Sequence, residues 1–145
     1  MKKLCIFLFI IFSALNYGQS ISFEELQDKI IRSQKPILIK IEAPWCSVCK
    51  IQNKQIEKDR ELKKILSEKY YYLELDAETK QDIIFNNKTY SFVPQGLSSG
   101  THELASELND NSQAYPAWIL LTSDYKIISR YNGLIKAGKL KKLLK

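Results

Sequence analysis

The sequence predicts a single α/β domain whose core is a mixed sheet of about four strands flanked by helices. Two short runs rich in branched apolar and aromatic residues, Pro36–Ala43 and Tyr70–Leu75, read as strands, with helical apolar spacing before and between them. That helix, strand, helix, strand order implies a parallel pair joined by a right-handed crossover. Later, Ala117–Leu121 and Lys126–Arg130 flank Thr122-Ser123-Asp124-Tyr125, the pattern of an antiparallel hairpin. A chain of 145 residues, 45% of them hydrophobic, supports one such core and not two.

In chain order, Met1-Lys2-Lys3 precedes the twelve-residue apolar stretch Leu4–Leu15, which is short for a membrane span and matches a signal peptide. Cleavage is expected after Gly18, leaving residues 19–145 as the folded domain. Cys5 then leaves with the signal, and Cys46 and Cys49 are the cysteines that remain. A retained anchor is the alternative. Ser22-Phe23-Glu24-Glu25 has the form of a capping box, and Phe23, Leu26 and Ile30 continue it as a helix to about Ser33. The strand Pro36–Ala43 follows. Cys49, Gln52 and Ile56 then recur on one face of the next helix, Asp59 restarts a turn, and Leu62, Ile65 and Leu66 form a further apolar face.

From Asp76 the pattern loosens. Asp82–Val93 reads as a small hairpin about Asn86-Asn87-Lys88, Gln95–Gly100 as turn, and Thr101–Leu108 as a short helix with Leu104, Ala105 and Leu108 inward. Gly133 breaks the chain before a closing helix bearing Ala137, Leu140 and Leu144 on one face.

The chemistry is expected at Trp45-Cys46-Ser47-Val48-Cys49-Lys50, where a Cys-x-x-Cys pair opens a helix directly after a strand. Unpaired N–H groups and the helix dipole favour thiolate at Cys46, moving a thiol pKa of about 8.5 into a range of roughly 3.5 to 7.5. Cys46 is therefore the expected nucleophile, exposed at the helix start. Cys49, one turn along and facing inward, is the expected resolving thiol. The same spacing also forms half of many zinc sites, but the remaining ligands would have to come from His102 and carboxylates. A structural disulfide across so short a loop would constrain the unfolded chain least. No metal and no cofactor are expected. His102, the single histidine, reads as a surface residue at a helix N-terminus.

The formal charge is +6, falling to +4 without Lys2 and Lys3. The lysines fall at helical spacing with no interleaved stacking aromatics, which argues against nucleic acid as a partner.

The strand, the Ala43-Pro44-Trp45-Cys46-Ser47-Val48-Cys49-Lys50 segment, Tyr115-Pro116-Ala117 at the hairpin start, and Gly133, Gly138 and Leu140 near the end together resemble the thioredoxin superfamily. The closer likeness is to secreted bacterial thioredoxin-like proteins of the thiol-disulfide interchange type. It covers roughly Ser22–Lys145 apart from an insert at about 80–112, before the strand that Pro116 opens. The resemblance implies a thioredoxin-like fold, a cis Pro116 beside the cysteines, Tyr115 as the residue whose backbone meets substrate, and Trp45 shielding the nucleophile. It further implies an exported thiol-disulfide oxidoreductase, reductase or isomerase in preference to oxidant. Its partners would be exported proteins with disulfides and a membrane electron donor, and it would work as a monomer. A metal-carrying or redox-silent binding module is the competing reading.

Two departures from the family bear on mechanism. Lys40 stands six residues before the first cysteine, where thioredoxins carry a buried Asp thought to assist proton transfer at the second. Its ammonium is expected either to reach an acid such as Glu74 or to snorkel outward. Ser47-Val48 replaces the family's Gly-Pro between the cysteines, so the direction of the redox reaction is left open.

Overall fold

The protein is described from a computed structural model covering residues 20–145. The expected signal segment, residues 1–18, lies outside the described residues. Helix α1, Phe23–Arg32, starts at the expected capping box: Ser22 Oγ accepts from the Glu25 N–H, and Glu25 Oε2 accepts from the Ser22 N–H. Strand β1, Ile37–Glu42, leads through a turn at Pro44 and Trp45 into α2, Ser47–Lys58. Asp59 ends α2 and caps α3, Arg60–Lys69, which runs into β2, Tyr71–Asp76. The insert supplies four three-residue strands, β3 (Ile83–Phe85), β4 (Lys88–Tyr90), β5 (Phe92–Pro94) and β6 (Gly100–His102), and then α4, Glu103–Leu108. The chain closes with β7 (Ala117–Leu121), β8 (Ile127–Asn132) and α5 (Ala137–Leu144).

The sheet order is β2-β1-β7-β8, with β1 parallel to β2 and antiparallel to β7, and β7 antiparallel to β8. It is the mixed four-stranded sheet expected. Alternation along β1 sends Ile37, Ile39 and Ile41 to one face, where they pack with Leu26, Leu73, Leu75, Leu104 and Ile119. Leu38 points to the other face, against Ile56, Leu62, Leu66, Trp118 and Leu140 of α2, α3, β7 and α5. The insert thus covers the α1 face of the sheet, away from α2.

At the two edges of the sheet the chain differs. Beyond β2, the Ile21 N–H donates to the Tyr72 carbonyl at 2.9 Å. On the opposite edge all six residues of β8 are exposed, and its pairing with β7 shifts register between Leu120 and Leu121. Helix α5 is tied to α3 by Lys141, whose ammonium bonds the Asp59 carboxylate at 2.8 Å and holds its pKa below the ordinary aspartate value.

The first insert hairpin follows the expected pattern: Asn86 and Asn87 both have positive φ, as a two-residue turn between twisted strands requires. The next segment departs from expectation. Thr101 and His102 are not helical but pair with Phe92 and Val93 in a second hairpin, and α4 begins at Glu103. Gly100 makes that hairpin possible, because a Cβ there would lie 2.3 Å from Phe92 Cζ and 2.5 Å from the Val93 carbonyl oxygen.

His102 corrects the sequence reading as well, since it is fully buried and not on the surface. Its backbone N–H donates to the Ala77 carbonyl, and its Nδ1 accepts the Leu104 N–H at 3.3 Å as the cap of α4. With Nδ1 accepting, Nε2 is the nitrogen left to donate to the Gln81 carbonyl, 3.1 Å away. The side chain therefore joins the start of α4 to the loop between β2 and β3. His102→Ala leaves both groups without a partner and is expected to cost about 2 kcal/mol, whereas His102→Asn keeps a capping oxygen and loses less. Thermal melts of the three proteins check this order, and equal melting temperatures would exclude the linking role.

Candidate redox site

The site forms where β1 ends and α2 begins. Cys46 has extended backbone angles at the N-cap of α2, and its Sγ accepts the Cys49 N–H at 3.1 Å. A sulfur that accepts a first-turn N–H at the positive end of a twelve-residue helix is in a setting that favours thiolate once the thiol is free. In this structure Cys46 and Cys49 are joined as a disulfide, with their Cα atoms 5.3 Å apart. Cys49, Gln52 and Ile56 form the buried face of α2, as the periodicity predicts. Gln52 anchors that helix to the end of the chain, donating to the Ile135 carbonyl and accepting the Ile135 N–H.

Cys46 differs from expectation in being only 5% exposed. It packs in a small cluster with Ala43, Cys49 and Tyr115, so its sulfur is reached through a cavity and not from an open surface. That cavity, of about 330 Å³, is lined by Glu42, Ala43, Pro44, Lys50, Asn53 and Asp76 together with both cysteines.

Trp45, by contrast, is 64% exposed. Its indole N–H donates to Glu78 Oε1 at 2.6 Å, and its ring lies 6.0 Å from that of Tyr115. The two aromatics form a tilted pair along one side of the disulfide. Burial, and then the nearby charges of Glu78 and Asp76, raise the Tyr115 pKa above the ordinary phenol value.

The Tyr115–Pro116 peptide bond is cis, and Pro116 is buried at the start of β7. The Pro116 carbonyl accepts the Gly133 N–H at 2.7 Å, and Gly133 there has a φ of 111°, a conformation suited to glycine. The backbone N–H and carbonyl of Tyr115, one residue earlier, have no hydrogen-bond partner among the described residues. They are free to pair with an extended peptide.

Lys40 takes the first of its two expected courses: it is fully buried and reaches acids. Its ammonium lies 2.8 Å from Glu74 Oε1 on the paired position of β2 and 3.2 Å from Glu42 Oε2, and it also donates to Asn53 Oδ1. Tyr72 adds its hydroxyl to Glu74 at 2.7 Å. Sequence reasoning named Lys40 and Glu74 but missed Glu42, Asn53, Asp76 and Glu78. A usable signal existed for two of them: Glu42 lies two residues after Lys40 on the same strand face, and Asn53 lies one turn after Cys49 on the same helix face.

A strand-turn-helix dithiol, a cis proline directly after the tyrosine packed on it, and this sheet order define a recognisable domain, and the profile of the thioredoxin-like domain family matches residues 23–145. The chain belongs to the thioredoxin-like family. Solved structures agree with this thioredoxin-like domain in fold. A disulphide isomerase from Xylella fastidiosa Temecula1 superposes with a TM-score of 0.56 at 16% identity, covering 90% of this chain and 96% of that one. The oxidoreductase DsbH gives 0.54 at 18% identity, covering 86% and 81%. Thioredoxin of Fasciola hepatica gives 0.52 at 17% identity, covering 83% and 89%. No curated protein sequence matches this thioredoxin-like chain.

Proposed function

We propose that this thioredoxin-like protein is an exported thiol-disulfide oxidoreductase acting on the disulfides of other exported proteins. The observation that carries the reading is the Cys46–Cys49 disulfide at the N-terminus of α2, lining a cavity and packed against Tyr115, whose bond to Pro116 is cis. In the reduced protein, Cys46 thiolate attacks a substrate disulfide, one substrate thiolate departs, and a mixed disulfide forms. Cys49 then attacks Cys46 Sγ, restoring the intramolecular bond and releasing the second substrate thiolate. The unpaired backbone groups of Tyr115 hold the substrate segment as an added strand, and Trp45 flanks the nucleophile.

Reductase or isomerase is favoured over oxidant by the family resemblance. A reductase outside the cytosol draws electrons from a membrane donor. Export is supported by the charged and apolar residues 1–18, and the same reading takes the protein to act as a monomer.

The test is the reduction potential of the Cys46/Cys49 pair, read from Trp45 fluorescence in dithiol buffers. A value near about −270 mV supports the reductive reading, and one towards about −120 mV makes the protein an oxidant. Failure to cycle, with stoichiometric metal on the two thiols of the purified protein, would move the assignment to a metal-carrying module.

A further inference from the structure

The cavity shared by the two sulfurs also holds a carboxylate that is fixed in place. Glu42, the last residue of β1, lines that cavity, and its Oε2 is held by two donors, Lys40 Nζ at 3.2 Å and Asn53 Nδ2 at 2.9 Å. Its other oxygen, Oε1, has no hydrogen bond among the described residues. Asn53 follows Cys49 by one helical turn on the same face of α2, so the amide that anchors Glu42 sits beside the inner cysteine along the helix. The carboxylate is thus immobilised by one oxygen and free at the other, on the wall of the cavity that Cys49 also lines.

The other charged groups around it are occupied or peripheral. The Lys40 ammonium has three N–H donors and three acceptors, Asn53 Oδ1, Glu42 and Glu74, so each N–H is already engaged. Glu74 faces Lys40 and the Tyr72 hydroxyl and does not line the cavity. Asp76, opposite Glu42 on β2, lines it, but is exposed and uses Oδ1 to accept the Glu78 N–H at 2.8 Å. Lys50 on α2 is exposed at the rim.

We propose that Glu42 is the proton acceptor for Cys49 in the resolving step, with Lys40 and Asn53 as positioning residues. The inference rests on the oxidoreductase reading above. In the step, the Cys49 S–H proton passes to Glu42, directly or through water in the cavity. The Cys49 electron pair forms the bond to Cys46 Sγ, and the bond between Cys46 and the substrate sulfur breaks. The leaving thiolate takes the electron pair. The reverse step returns the proton from Glu42 to Cys49, so no outside acid, base or redox agent is needed.

The two ways in which Glu42 can act have opposite signs. As a bystander charge it would disfavour thiolate at Cys49, and Glu42→Gln would speed resolution. As the base, its loss slows resolution, roughly 10²-fold near pH 7. The experiment mixes reduced protein with an aromatic disulfide whose thiolate absorbs, and follows its two equivalents across pH. The first is released by Cys46 and the second by Cys49.

In the native protein the second phase is expected to fall with pH less steeply than the tenfold per unit of a thiol that ionises unaided. In Glu42→Gln it is slower and falls tenfold per pH unit below the thiol pKa. Glu42→Asp is intermediate, and Glu57→Gln, on the exposed face of α2, behaves as native. The first phase is expected to be the same in all four proteins. A native second phase that already falls tenfold per unit, a faster Glu42→Gln, or an equal slowing in Glu57→Gln overturns the proposal while leaving the redox reading intact. Absence of the first equivalent would overturn the redox reading itself.

Discussion

Cys49→Ser is expected to accumulate covalent mixed disulfides between Cys46 and its clients, and Cys46→Ser to show no turnover at all. The asymmetry follows from the geometry of α2. Cys46 is the N-cap sulfur that accepts the Cys49 N–H, so it benefits from the helix terminus as a thiolate. Cys49 lies one turn further along, on the face of α2 that packs inward with Gln52 and Ile56. Removing Cys49 leaves the attack intact and deletes the release. Non-reducing electrophoresis with mass spectrometry of the trapped species checks this, and adducts on Cys49 in place of Cys46 would reverse the assigned roles. A Cys46→Ser protein that keeps its full effect on clients would instead indicate a scaffold.

The second large effect is expected from Lys40→Met. Lys40 is fully buried, while its partners Glu42 and Glu74 keep 25% and 39% of their side-chain surfaces in solvent. Breaking a buried ion pair by removing one partner costs about 3 to 5 kcal/mol, because the remaining charge is left uncompensated. Partial hydration of the two carboxylates puts this case near the lower end, about 3 kcal/mol. At ordinary urea slopes of about 1 to 3 kcal/mol/M, the midpoint drops by 1 M or more.

Replacing the whole set, as Lys40→Met with Glu42→Gln and Glu74→Gln, removes the stranded charges and is expected to recover most of the loss. Urea titration of the two proteins against the native one provides the comparison. A single variant with an unchanged midpoint would show that the ammonium contributes nothing net to the fold.

Much of this architecture could be read in the sequence because it rests on local chemistry. The Ser22/Glu25 capping box, the Asn86-Asn87 turn, the inward face of Cys49, Gln52 and Ile56, and the Cys-x-x-Cys at a strand-to-helix turn all depend on residues within a few positions of one another. What was misread depends on distant contacts. The burial of His102 comes from the loop after β2, some twenty residues earlier, which supplies the Ala77 and Gln81 carbonyls. The β5–β6 hairpin is masked by Pro94 and by strands of three residues, too short to show alternation.

The low exposure of Cys46 arises from Tyr115, which only the folded chain brings to it. Lys40 lay between these cases. The sequence showed an ammonium in a buried strand and one acid within reach, but the parallel register that sets it opposite Glu74 and the amide of Asn53 are properties of the sheet and of α2.

The open strand at the far side of the sheet has a bearing on how the protein behaves when crowded with its own copies. The outer rim of β8 is a row of backbone donors and acceptors with no neighbouring strand among the described residues, and Ile127, Ile128 and Tyr131 stand 38%, 56% and 44% exposed along it. Such a rim is a template on which another chain can add by backbone pairing. Two features work against it: the register shift at Leu120/Leu121, and Arg130, a charged residue at mid-strand whose Nε donates to the Leu108 carbonyl at 2.7 Å. On the β2 side the Ile21 N–H already takes up one edge acceptor, the Tyr72 carbonyl. Within the four-stranded sheet, unwanted association of partly folded chains would therefore begin at β8, the strand farthest from β2, with β1 and the disulfide that follows it in between.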